Sequence, residues 1–186
     1  MKFIDNEIVD ILHVYKTEKH ELQKRTRQNI LAKREERVEK LVRDQFENYS
    51  VANWTDYEDL YCLEFRILLT KNQPLLDDNT ELLKVLGGTR IDLTVFVSLI
   101  SNHYYLWAEK TRYNPLNDKW TFQKITLKNH EVFPVIEKFT AEMERADFKL
   151  LPEFDARKFV PDVETKYLDK GKVRVFHIIF TDMETL

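Results

Sequence analysis

From about residue 3 to residue 48 the chain contains neither glycine nor proline. Those two residues most readily interrupt a helix, so their absence over this length makes the segment helical. Ile4, Ile8, Ile11, Leu12 and Tyr15 recur at spacings of three and four and form one apolar stripe. Leu31, Val38, Leu41, Val42 and Phe46 form a second. Between Tyr15 and Ile30, Leu22 is the one strongly apolar residue. Two arrangements satisfy this pattern: a single long helix whose centre stands in solvent, or two helices meeting within residues 16 to 29. The segment 1–48 is therefore a helical N-terminal element, and 49–186 is the body.

Charge sets the same segment apart. Residues 16 to 40 hold nine Lys or Arg against five Glu, a net of +4, whereas the rest of the chain carries −7. Lys24, Arg25, Arg27, Lys33 and Arg34 lie in a window with no acidic residue. Glu21–Arg25, Glu36–Lys40 and Glu39–Arg43 bracket it at the favourable helical spacing for ion pairs, each worth about 0.2–0.5 kcal/mol. Lys24–Arg27 and Lys33–Arg34 are about nine residues apart, roughly 13 Å along a helix. The window is read in three ways: a solvated helix face, a protein-facing patch, or a phosphate contact of the salt-dependent kind.

Beyond residue 48 the pattern changes. Thr55-Asp-Tyr-Glu58 matches a helix capping box, predicting a helix over EDLYCLEFRILL, although Tyr61, Leu63 and Phe65 also alternate as in a strand. Asp78-Asn-Thr-Glu81 repeats the box ahead of LLKVLGG, where Gly87 suits the left-handed residue that ends a helix. RIDLTVFVSLI is β-branched and aromatic and reads as a buried strand. HYYLWAEKTRY and KWTFQKITL flank NPLND and read as a hairpin. Val132, Val135, Ile136, Phe139, Met143 and Ala146 share one helical face. VETKYL and KVRVFHIIF read as a closing hairpin, with the last strand apolar on both faces and therefore central. The expected fold is α+β: an N-terminal long helix or helix pair, then a mostly antiparallel sheet of about five strands with helices packed on it.

Sequence motifs exclude more chemistry than they suggest. No G-x-S-x-G, phosphate-binding loop or dinucleotide fingerprint occurs. The five histidines show no metal-ligand spacing, and a single cysteine supports neither a structural zinc site nor an internal disulfide. His177, beside Val175 and Ile179, reads as a core histidine, and Cys62 as an inert buried thiol. Glu64-Phe-Arg66 and Glu109-Lys110 depart from the acidic-x-Lys arrangement of many metal-dependent nucleases. No catalytic residue, metal or cofactor is expected from these patterns, and an enzyme is the less favoured reading.

The 103–127 hairpin offers a surface instead. With the turn centred on Leu116, Arg112 lies opposite Trp120 and Lys110 opposite Phe122, giving cation–aromatic pairs on one face. Tyr105 and Trp107 then join Ile125 and Leu127 on a core face. Lys24, Arg25, Arg27, Lys33, Arg34, Lys110, Arg112, Trp120 and Phe122 are thus the candidate contact residues. The first expectation is a non-catalytic protein-binding module, of the kind found among bacterial or phage inhibitors and toxin-neutralising immunity proteins. Nucleic-acid binding through the basic helix is the alternative, and an enzyme with a site assembled from scattered residues is the third. The lone cysteine, the broken-up N-terminus MKFIDNEIVDIL and the lack of a long apolar run predict a cytoplasmic protein without a membrane span. A homodimer through the N-terminal helix is a further expectation.

Overall fold

The computed structural model describes residues 6–17, 19–31, 33–56, 61–69 and 80–181. Ile4, Glu58, Asp78 and Asn79, which entered the expectations above, lie outside them. Three helices come first: α1 (Asn6–Thr17), α2 (Lys19–Leu31) and α3 (Arg34–Gln45). Among the described residues the expected one or two helices are three. Lys33 breaks the run without glycine, by taking a left-handed φ of 60°. The division has a packing cause, because the two apolar stripes serve opposite faces of one sheet. Ile8, Ile11, Leu12 and Tyr15 of α1 bury on one side, and Val38 and Val42 of α3, with Phe46, bury on the other.

That sheet is built from β1 (Ser50–Asn53), β2 (Cys62–Leu68), β3 (Thr89–Ser98), β4 (His103–Asn114) and β5 (Lys119–Ile125). The five form a consecutive antiparallel meander, and the two-residue β6 (Lys149–Leu150) adds in parallel beside the start of β4. The fold is mixed α+β, with N-terminal helices ahead of an antiparallel sheet carrying further helices. Within the helix expected over 58–69, the described residues Cys62–Leu68 form the strand β2. Its Leu63, Phe65 and Ile67 alternate into one core, and neighbours on both edges satisfy its backbone. Thr55 Oγ1 accepts the Glu64 N–H at 3.0 Å and so serves a strand rather than a helix start.

α4 (Thr80–Val85) ends as expected at Gly87, whose φ is 74°. Gly88 follows at φ 76° and donates to Leu83 O at 2.6 Å. α5 (Phe133–Arg145) carries Ile136, Phe139 and Met143 onto the α3 side of the sheet, where Phe139 meets Phe46 at 5.1 Å between ring centres. The closing hairpin does not form. Residues 163–168 are irregular, and the expected central strand is the short helix α7 (Val175–Ile179), following α6 (Glu153–Ala156). An apolar run this short has no period that separates a buried strand from a buried helix. Every residue from Val175 to Phe180 is buried, with Phe176 against Phe96 and Tyr105 at 5.4 and 5.1 Å. His177 Nδ1 accepts the Arg174 N–H at 2.9 Å, which helps close the first turn. Among the described residues, no helix is long and apolar enough to cross a membrane.

Candidate functional surface

The β4–β5 register decides what the hairpin displays. Residues 115–118 form a four-residue loop in which Leu116 N–H donates to Asn114 Oδ1 and Asp118 takes a φ of 51°. Tyr113 consequently faces Trp120, Thr111 faces Phe122, and Arg112 and Lys110 face Thr121 and Gln123. The expected Arg112–Trp120 and Lys110–Phe122 pairs are thus off by one residue. A slip of one exchanges the faces of every side chain on the strand. Lys110 lies on the face that buries Ala108 and Ile125, where its ammonium bonds both Glu131 oxygens at 2.9 Å. Trp120 and Phe122 lie on the other face with Tyr105, Trp107 and Tyr113.

That face carries an aromatic strip. Trp120 and Phe122 are stacked, with centroids 6.2 Å apart and planes at 6°, and Trp120 also meets Tyr113 at 4.9 Å. Phe122 is 57% exposed. Lys124 continues the strip, with its ammonium 3.8 Å from the centre of the Trp107 ring. It donates to Glu153 Oε1 at 2.7 Å and to the Tyr105 hydroxyl at 3.3 Å. Tyr105 and Arg157 donate to the same carboxylate. Burial works against the Glu153 charge, but the bonds from Lys124, Tyr105 and Arg157 prevail and hold its pKa at about 2. Burial, reinforced by Glu153, raises Tyr105, while burial lowers Lys124 against the pull of that carboxylate.

Beside this network the sheet splits. β5 leaves β4 after Ile125, and β6 joins β4 only at His103 and Tyr104. Between them lies a groove of about 470 Å³ with Leu106, Ala108, Leu127, Leu150 and Pro152 among its walls and Lys124, Lys128 and Glu153 at its rim. An apolar cleft bordered by a few convergent polar groups has the make-up of a binding site.

Elsewhere on the aromatic face, Arg66 pairs with Glu64 at 3.0 Å and lies over the Trp54 ring at 3.7 Å. Arg90 pairs with Asp92 at 2.7 Å, and Asp92 faces Glu109 across the β3–β4 ladder. Burial, then Asp92, raises the pKa of Glu109. Among the described residues, no group of three or more His, Cys, Asp or Glu is placed to hold a metal ion. Burial pushes the Cys62 thiol well above its ordinary pKa.

The basic residues of the N-terminal helices are dispersed. Lys24 lies 3.6 Å from Glu21, Arg25 3.8 Å from Asp10 on α1, and Lys33 3.9 Å from Glu36. Arg27 is exposed. Arg34 turns into the body, donating to Ser101 O at 2.6 Å and Asn102 Oδ1 at 3.2 Å with its guanidinium over Phe148. Lys33, Arg34 and Arg37 nevertheless share a pocket of about 310 Å³ with Asn102 and Asp147. Trp120 and Phe122 share one face as expected, but Tyr105 and Trp107, expected beside Ile125 and Leu127, lie on that face with them, and neither Glu153 nor the groove is marked in the sequence. The 29 residues separating Lys124 from Glu153 carry no periodicity that would join them.

Fold and surface together define a mixed α+β protein with a split antiparallel sheet. Comparison with protein-family models, curated proteins and solved structures finds no match for this chain.

Proposed function

We propose that this protein is a non-catalytic protein-binding module that engages its partner along β5 and in the adjoining groove. The observation that carries the reading is the continuity of two features usually found at recognition sites. Exposed Phe122 and half-buried Trp120 stack along β5, and Lys124, next on that face, borders an apolar cleft of about 470 Å³. Aromatic side chains are favoured anchors at protein interfaces, and a preformed apolar cleft accepts an anchor from the other side. The Lys124–Glu153–Tyr105 network stands between the two and fixes the cleft's rim.

Photo-crosslinking in the protein's own cells tests the reading. A crosslinking residue at Thr121 or Gln123 on β5 should capture a discrete protein, and one at Lys40 on α3 should not. Leu127→Arg, which puts a charge into the groove, should abolish the capture while leaving the circular dichroism spectrum unchanged. Indiscriminate or absent crosslinking from β5 would sink the proposal.

One observation favours nucleic acid as a second reading. Lys33, Arg34 and Arg37 converge on one pocket, a geometry suited to a phosphate group. Its test is retention on nucleic acid at about 50 mM salt, lost when these residues become alanine. The ion pairs of Lys24, Arg25 and Lys33 argue against a five-residue grip.

A further inference from the structure

The two edges of the sheet are treated differently. At β1, Arg43 reaches over the edge and donates to Val51 O at 3.3 Å, while Asn53 bonds Glu39 at 3.2 Å. Side chains of α3 thus occupy that edge, as expected where pairing with another chain is to be prevented. Among the described residues β5 has no such cover: Thr121, Phe122 and Gln123 are all exposed, and its extensive packing is with β4.

The direction of its peptide groups follows from the ladder. Tyr113 N–H donates to Gly88 O on the β3 side, whereas Tyr104 O accepts from Leu151 on the opposite side. Even-numbered residues of β4 therefore turn their peptide groups toward β5, where Lys110 faces Gln123 and Arg112 faces Thr121. Thr121, Gln123 and Ile125 point back at β4, so Trp120, Phe122 and Lys124 turn their N–H and C=O groups outward.

We infer that β5 pairs antiparallel with β5 of a second copy, with Phe122 on the two-fold axis, and that the hairpin tip of each copy reaches the other's groove. This rests on the binding reading above and names the partner at that surface. The sequence of β5 fits itself in this register. Phe122 meets Phe122, Trp120 faces Lys124, Thr121 faces Gln123, and Lys119 faces Ile125. No lysine opposes a lysine, and with its ammonium held by Glu153 and over Trp107, Lys124 offers the facing Trp120 its methylene stem on the same face. The outward groups of residues 120, 122 and 124 supply about six inter-chain backbone hydrogen bonds.

The same register continues past the strands. Leu127 comes opposite Asn117 of the second copy, and Lys128 opposite Leu116. Leu116 is 94% exposed at the hairpin tip, and Leu127 and Lys128 line the groove. The most exposed large apolar side chain among the described residues is thereby delivered to an apolar cleft. A two-fold pairing uses β5 once in each copy and closes, so it does not propagate into a fibre.

Light scattering after size exclusion should show a concentration-dependent dimer. Phe122→Glu places two like charges face to face and should weaken association at least tenfold. Leu116→Arg lies in solvent within one chain, cannot disturb its folding, and should weaken association several-fold. Register is tested by thiol pairing, with buried Cys62 as a silent background. Phe122→Cys should cross-link to itself on mild oxidation, and Trp120→Cys should cross-link to Lys124→Cys only when the two variants are mixed. A monomer at every concentration up to hundreds of micromolar, or a dimer unaffected by both Phe122→Glu and Leu116→Arg, overturns the inference. A monomer whose β5 still crosslinks to a different protein in cells overturns the second copy as partner and leaves the binding reading standing.

Discussion

Glu153 collects donors from three places in the chain, namely Tyr105 on β4, Lys124 on β5 and Arg157 just past α6. Its pKa is held at about 2, against an ordinary value near 4.5. A carboxylate depressed on folding stabilises the folded state above its unfolded pKa and ceases to do so as pH falls through the folded value. The stabilisation from Glu153 is therefore full above about pH 4.5 and fades toward pH 2. Glu153→Gln should lower the melting temperature at pH 6, with the gap to wild type closing as melts are repeated toward pH 2. A gap independent of pH would show that the carboxylate's charge is not what matters there. Gly88 makes a sharper steric prediction. At φ 76° an added Cβ would lie 3.3 Å from Tyr113 O, whereas at Gly171, φ 86°, it would meet nothing within 4 Å. Both alanine variants carry the left-handed penalty of about 1–2 kcal/mol. Gly88→Ala should cost more than Gly171→Ala, read as the difference between their denaturant midpoints.

At the scale of elements, local pattern was legible wherever a period could be counted. The alternation in β3 and β4, the helical face of α5 and the Gly87 stop all follow from spacing. Two elements escaped because their identity depends on distant neighbours. β2 had a capping box ahead of it, but Thr55 bonds a strand amide nine residues on. α7 has the β-branched and aromatic composition of a strand, yet the site that receives it offers burial on all sides. Local propensity yields to such a site. The hairpin shows how narrow the margin is, since a four-residue loop in place of a turn centred on one residue puts Trp120 and Phe122 with Tyr113 rather than Arg112. The groove was illegible for a different reason: it is a gap between β5 and β6, and spacing within one strand does not encode gaps between strands. α7 supplies the test at this scale. Phe176 touches Phe96, Tyr105 and Phe180 and is 1% exposed. Phe176→Ala should destabilise by about 3–5 kcal/mol in chemical denaturation. A loss under about 1 kcal/mol would mean that α7 is not the plug of this core.

In the whole molecule, the two ends of the described chain share one core. Ile8, Ile11, Leu12 and Tyr15 of α1 bury in the same cluster as Phe176, Ile179 and Phe180. The turn between β3 and β4 ties the N-terminal helices down from three directions. Asn102 N–H donates to Glu7 on α1 at 3.0 Å, Asn29 of α2 donates to Leu99 O, and Arg34 of α3 donates to Ser101 O. A basic helical segment so anchored is a layer of the fold, with its charges arranged around the anchors. That arrangement predicts how the molecule comes apart. If the helices stood apart from the body, removing α1 would leave the main transition in place and delete a smaller one. With a shared core, removing residues 1–17 uncovers α7 and withdraws four buried side chains, each worth about 1.5–3 kcal/mol. The intact chain should therefore melt in a single calorimetric transition. The shortened chain should melt at a lower temperature, again in one step, and bind a hydrophobic dye before it unfolds. Arg34→Ala should move the same transition in the same direction by about 1.5–3 kcal/mol, because it removes a charged donor from the Ser101 carbonyl. Two resolved transitions in the intact chain, or a shortened chain with unchanged melting, would show that the helices and the sheet fold as separate units.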